Sequence, residues 1–179
     1  MKKLITLPAF LTAALLGACA SSIPNRDPVG EAFPSVVGES LDSQEHRIPE
    51  EFAGRKVLLI VGYVQKTQFD CDRWLLGLLQ AELDVAVREV PTIKGFVPGL
   101  FSGMIDGGMR KGIPQEDWGA VITVYGDAGE IVALTGNENP NNARVLLLDE
   151  TGKVIWFHDR GYSPRLALEI ARLCAGGRM

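Results

Sequence analysis

The sequence predicts an α/β domain in which a mixed sheet is flanked by helices, and three observations carry that prediction. Val57 to Val61 is a continuous apolar run rich in β-branched residues, the composition of a strand covered on both faces. After an irregular stretch from Gly62 to Phe69, a helix follows. Its polar or small positions Arg73, Gly77, Gln80 and Asp84 stand four, three and four apart, and Trp74, Leu75, Leu76, Leu78, Leu79 and Leu83 fill the rest. So narrow a stripe predicts a largely buried helix, with Asp70 or Asp72 as its N-cap. Near the C-terminus, Arg144 to Asp149 and Lys153 to His158 frame a turn from Asp149 to Gly152, a hairpin with glycine late in the turn, where positive φ is wanted.

The chain opens differently. Lys2 and Lys3 precede an apolar stretch from Leu4 to Leu16 that is too short for a stable membrane span and reads as a signal peptide over residues 1–18. It ends in Leu16-Gly17-Ala18-Cys19, which resembles the lipobox of bacterial lipoproteins and implies a lipidated Cys19. Ala20 after it, rather than Asp, implies sorting to the outer membrane. Residues 19–32 then read as the lipidated cysteine and a polar tether with prolines and little to bury. Loss of the signal leaves 16 basic against 22 acidic side chains, a net charge of −6. That balance argues against nucleic acid and against an anionic lipid surface as partners. The partners expected are the lipid bilayer, through acylated Cys19, and an envelope protein client of unknown identity.

Residues 33–177 are long enough for one domain with a proper core. Phe33 to Phe52 suggests two short strands, with His46 as a solvated turn histidine. Asp84 to Val90 alternates as a half-covered strand stopped by Pro91. Pro98 to Lys111 reads as a soft helix whose Gly99, Gly103 and Gly107 make a smooth face for a close neighbour. Gly119 to Tyr125 is a buried strand, and Asp127 to Gly136 a short helix or turn closed by glycine. Ser163 caps a final helix with Pro164 at its first position, ended by Gly176 and Gly177.

Strand, loop, and a helix with Cys71 at its start is the layout of the active-site unit of the thioredoxin superfamily, and the two N-terminal strands resemble its peroxiredoxin-like variant. Redox members carry CxxC there, because the helix N-terminus lowers one thiol's pKa and the second thiol resolves the mixed disulfide. Here the text is Cys71-Asp72-Arg73-Trp74. Trp74 stands at the resolving position, and Asp70 and Asp72 oppose a thiolate by like-charge repulsion. The fold is therefore expected without the CxxC motif. Pro140 invites comparison with the proline that faces the thioredoxin active site in the cis form.

A narrower resemblance rests on Phe33-Pro34, Gly38, Leu41, Gly54-Arg55-Lys56, Gly108 to Pro114, and Val145 to Asp149 followed by Gly152 to Trp156. These segments resemble the mitochondrial ATP synthase assembly factor ten family, which is thioredoxin-like, lacks the dithiol and acts as a chaperone for a membrane subunit. The chain departs from that pattern at Arg144, where the family has an aromatic, and at Ile155, where it has arginine.

Three classes of function follow. One is a non-catalytic binding or assembly module tethered to a membrane, using no cofactor. Another is a single-cysteine thiol enzyme, a peroxidase or oxidoreductase, using Cys71. A copper-delivery protein would need paired cysteines and a histidine at metal-ligand spacing, so no metal site is expected. For a binding module of this fold the site falls at the C-terminal ends of the parallel strands. The candidates there are Tyr63, Gln65, Asp70, Arg73 and Trp74, with Arg110 and Trp118 as secondary ones. Cys71 and Cys174 are expected as two free thiols, because they stand at opposite ends of their helices.

Overall fold

The computed structural model describes residues 22–94 and 102–175. The signal peptide, Cys19, Gly99 and the terminal Gly176-Gly177 lie outside the described residues. Within them, β1 (Val36–Ser40) and β2 (Glu45–Ile48) form a hairpin, followed by β3 (Val57–Gly62), α1 (Gln68–Gln80) and β4 (Ala86–Pro91). Then come α2 (Ser102–Met109), β5 (Ile122–Thr123), α3 (Ala128–Thr135), β6 (Arg144–Leu148), β7 (Val154–His158) and α4 (Pro164–Ala175).

The strands form two sheets, β2-β1-β5 and β4-β3-β6-β7. Parallel bridges Glu89–Val121 and Thr92–Val124 join them through β4 and β5. β3 is the centre: it runs parallel to β4 and antiparallel to β6, with Val57 opposite Leu148 and Ile60 opposite Val145. Its residues alternate between two cores. Val57, Leu59 and Val61 meet Phe52, Ile131 and Leu146 on one face. Leu58 and Ile60 meet Trp74, Leu147 and Ile170 on the other. Each fully buried aliphatic stabilises the fold by roughly 1.5–3 kcal/mol, and a one-residue slip of β3 would exchange the two sets. The sheet is thus a mixed, helix-covered one, as the sequence predicts.

Two edges of this sheet organise the segments around it. At one edge lie the ends of β3, β4 and β7 and the starts of β6, α1 and α4. At the other lie the start of β3 and the β6–β7 turn, where Gly152 adopts φ +82° against Pro49. The separation is the length of β6, about 17 Å at 3.4 Å per residue.

Several local expectations differ from the structure. α2 is present, but around Gly103, Gly107 and Gly108 the space is open, so no close neighbour uses their small size. β5 is only two residues, because Gln115–Ala120 winds into a 3₁₀ helix instead of extending. His46 sits in β2 rather than in a solvated turn. Its Nδ1 lies 2.8 Å from Glu51 Oε2 and its Nε2 lies 3.0 Å from Ser40 Oγ. This has the partner order of a serine–histidine–acid relay. The Ser40 hydroxyl, however, is buried and donates to Asp42, so no serine oxygen is left free to attack.

The expected tether also differs. Ile23 N donates to Asn137 Oδ1 (2.6 Å), Asn137 N donates back to Ile23 O (2.9 Å), and Arg26 N donates to Thr135 O (3.3 Å). Further on, Gly30 N donates to Val154 O (2.8 Å), Val154 N to Glu31 O (2.9 Å) and Phe33 N to Gly152 O (2.9 Å). Residues 23–33 therefore form a strap along the domain, from the edge holding the start of α1 to the edge holding the β6–β7 turn. Prolines and polar side chains gave no hint of it, because its partners are far away in sequence and many of the groups that dock are backbone groups common to every residue.

Candidate functional site

The candidate site is the edge where α1 begins. β3 ends at Gly62, and a 3₁₀ turn over Gln65–Thr67 carries the chain into α1, so the helix starts before either expected cap. Asp70 consequently falls inside the first turn and points inward. Its Oδ2 accepts from Ala143 N (2.9 Å) and its Oδ1 from Tyr162 N (2.8 Å). The carboxylate thus staples α1 to the entries of β6 and α4, rather than capping its own helix. Thr67 Oγ1 donates to Pro140 O (2.7 Å), closing the same junction. The cis peptide bond among the described residues precedes Pro49, not Pro140.

Cys71 is 1% exposed and packs with Leu58, Ile60 and Trp74. Burial pushes its thiol pKa well above the ordinary range, and the neighbouring Glu89, Asp70 and Asp72 push it further. The helix N-terminus is present, but the low dielectric and three carboxyl groups outweigh it. Glu89, on β4, is buried beside this cysteine, and its carboxyl rises to about 7, chiefly from burial. Cys174 lies at the opposite edge, beside Lys56 and Leu83. Both cysteines are free and buried.

Arg144 organises the other half of the site. It is 0% exposed, at the first position of β6. Nη1 donates to Asn139 O (3.1 Å) and Asn142 O (2.7 Å), and Nη2 to Asn25 Oδ1 (3.0 Å) and to Glu138 O. The guanidinium lies 5.1 Å from the Tyr63 ring centroid, a cation–π contact. Burial lowers its pKa from the ordinary value, against the pull of Tyr63 and Asp159. One side chain thus holds the 138–142 loop, the strap and Tyr63 together. The sequence signalled it only as the residue standing where the resembled family has an aromatic.

The candidates read from the sequence separate into distinct roles. Tyr63 is half-buried, bonded to Thr135 Oγ1 at 2.6 Å, and burial raises its hydroxyl to about 12. Gln65 and Arg73 are exposed. Asp70 and Trp74 are not available at the surface. Asp70 spends both oxygens internally. Trp74 is enclosed by Trp156, His158 and Tyr162 in edge-to-face contacts with centroids 5.4–6.3 Å apart. Arg110 and Trp118 lie away from this edge: Arg110 Nε donates to Leu41 O (2.6 Å) beside the β1–β2 turn, with its guanidinium 5.5 Å from the Trp118 ring centroid.

The polar stripe predicted for α1 is also redistributed. Gly77 faces inward, where an added Cβ would meet the Tyr162 hydroxyl at 2.3 Å. The outer face instead shows Phe69 (73% exposed), Leu76 (60%) and Leu79 (75%) around Arg73. The periodicity of small and polar residues identified a face, but Tyr162 claimed its glycine. Between the strap, the 139–142 loop and the start of α4 lies an open groove of about 630 Å³, lined by polar residues such as Asn25, Asp27, Asp159 and Arg165 and by the apolar Phe157 and Leu166.

A mixed sheet of this order, covered by helices on both faces and with a helix following the central strand, is a thioredoxin-like fold. Solved structures with that fold align over nearly their whole length. A SCO1/SenC family lipoprotein from Bacillus anthracis matches at 11% identity and TM-score 0.58, covering 85% of this chain and 99% of the other. The pneumococcal exposed lipoprotein thioredoxin from Streptococcus pneumoniae matches at 14% and 0.54, covering 78% and 99%. A thiol:disulfide interchange protein from Bacteroides sp. matches at 16% and 0.54, covering 84% and 92%. No protein-family model and no curated protein matches the chain.

Proposed function

We propose that this protein is a membrane-tethered thioredoxin-fold module that binds a protein client in the cell envelope and performs no thiol redox chemistry. The observation that carries the reading is the state of Cys71. The thiol at the fold's reactive position is sealed in an apolar core, its thiolate is opposed by three carboxyl groups, and Trp74 occupies the resolving position.

The outer face of α1 supports a binding role. Leu76 and Leu79, large apolar side chains one turn apart on one stripe, are both exposed. Exposed apolar side chains grouped on one helix face are the kind of surface that contact sites use. The lipobox at Cys19 supports the tether, and two of the fold neighbours are themselves lipoproteins. The resemblance to an assembly-factor family supports a chaperone-like use of the α1 face.

Photo-crosslinkers placed at Leu76 and Leu79 in producing cells test the reading. A discrete crosslinked species is expected from both positions and none from Glu150 at the opposite edge. Equal, diffuse crosslinking from all three positions would refute a binding face on α1.

A further inference from the structure

The docked strap has a consequence for how the domain stands on a membrane. By itself the domain begins at Phe33, whose N–H bonds Gly152 at the β6–β7 turn, on the edge away from α1's start. A free tether from Cys19 to Phe33 spans fourteen residues, up to about 50 Å, and would allow any orientation. With the strap docked, the chain leaves the domain at Ile23, held by Asn137 on the opposite edge. Only three residues then separate Cys19 from that fixed point, four Cα steps of at most about 14 Å in all.

The same edge carries the turn between β3 and α1, in which Thr67 is bonded to Pro140, three residues beyond Asn137. That turn exposes Val64 at 43% and Lys66, and the first turn of α1 beside it exposes Phe69 at 73%. Two apolar side chains flanking a lysine suit a lipid interface, where the apolar groups enter and the ammonium stays among the headgroups.

We propose that the strap converts the lipid tether into an orienting clamp: it holds the domain with the β3–α1 turn against the bilayer, and Val64 and Phe69 contact the lipid interface. This rests on the membrane-tethered reading above. The α1 face with Leu76 and Leu79 then stands up from the membrane, at a height where a membrane protein's protruding segment would meet it.

The test uses the full mature protein purified with its acyl chains, in vesicles of phosphatidylethanolamine and phosphatidylglycerol doped with brominated phosphatidylcholine. An environment-sensitive fluorophore is attached at Lys66→Cys or at Glu150→Cys, both exposed, while Cys71 and Cys174 are buried. Quenching at position 66 at least threefold that at position 150 is expected. In the Asn25→Ala/Asn137→Ala double variant, which removes side-chain bonds that hold the strap, the ratio should fall towards one. Equal quenching at the two positions, or a ratio unchanged in the strap variant, would overturn the clamp while leaving the anchor in place. A mature mass without acyl chains would overturn the anchor, and the clamp with it.

Discussion

Arg144 Nη2 donates to Asn25 Oδ1 at 3.0 Å, joining residues 119 positions apart. A buried cation at the start of the last antiparallel pair thereby fastens the N-terminal strap to the loop beside the fold's reactive position. Nη1 and Nη2 otherwise serve backbone carbonyls of that loop. Replacing Arg144 with Met fills part of the volume but strands those acceptors. The expected cost is about 3 kcal/mol, since charge-assisted bonds are lost and buried carbonyls go unpaired. Urea denaturation should show the loss, and limited proteolysis should show faster cleavage within residues 22–32.

Glu89 makes stability depend on pH. Its folded pKa, about 7, lies above the unfolded value near 4.5. The protonated form is therefore favoured by folding, and that contribution is complete below about pH 4.5 and lost as pH rises through 7. The expected loss is about 3 kcal/mol at 1.36 kcal/mol per unit. Glu89→Gln should remove this slope, so the variant should match the native protein near pH 4.5 and exceed it at pH 8. Denaturation curves at the two pH values decide it. A slope unchanged in the variant would place its origin elsewhere.

The outer face of α1 should be dispensable for folding. Leu76→Ser and Leu79→Ser replace side chains that are 60% and 75% exposed, and each should change stability by no more than about 0.5 kcal/mol. Client capture by the double variant should fall several-fold. A large drop in Tm instead would show that these residues support the core.

For the tether, Cys19→Ser should leave the precursor uncleaved or shift the protein out of the membrane fraction. Unchanged membrane partition together with an unchanged mature mass would contradict lipidation at this position.

What could be read from the sequence was local. β3 and the β6–β7 hairpin declared themselves because Val57 to Val61 and Leu146 to Leu148 are apolar without a break, and Gly152 marks the turn. α4 declared itself through Ser163 and Pro164. The site was less legible because its geometry comes from pairs far apart in sequence. Asp70 has the composition of a helix cap, yet it bonds Ala143 and Tyr162, 73 and 92 positions away. Trp74 could have been surface or core on periodicity alone, and the rings of Trp156, His158 and Tyr162 settled it. The strap was illegible for the same reason. Its partners Asn137, Thr135 and Val154 are more than a hundred residues downstream, and many of its bonds use backbone groups, which leave no trace in composition.

The central claim is that Cys71 is structural, and its chemical reactivity tests this most directly. The mature protein and its Cys71→Ser variant would be assayed for insulin-disulfide reduction and for peroxide turnover with a thiol donor, and the native thiols titrated with an aromatic disulfide before and after unfolding. No turnover is predicted from either protein, with Cys71 and Cys174 both reacting only once the chain is unfolded. Turnover by the native protein that is lost in Cys71→Ser would contradict the claim and make the protein a single-cysteine thiol enzyme.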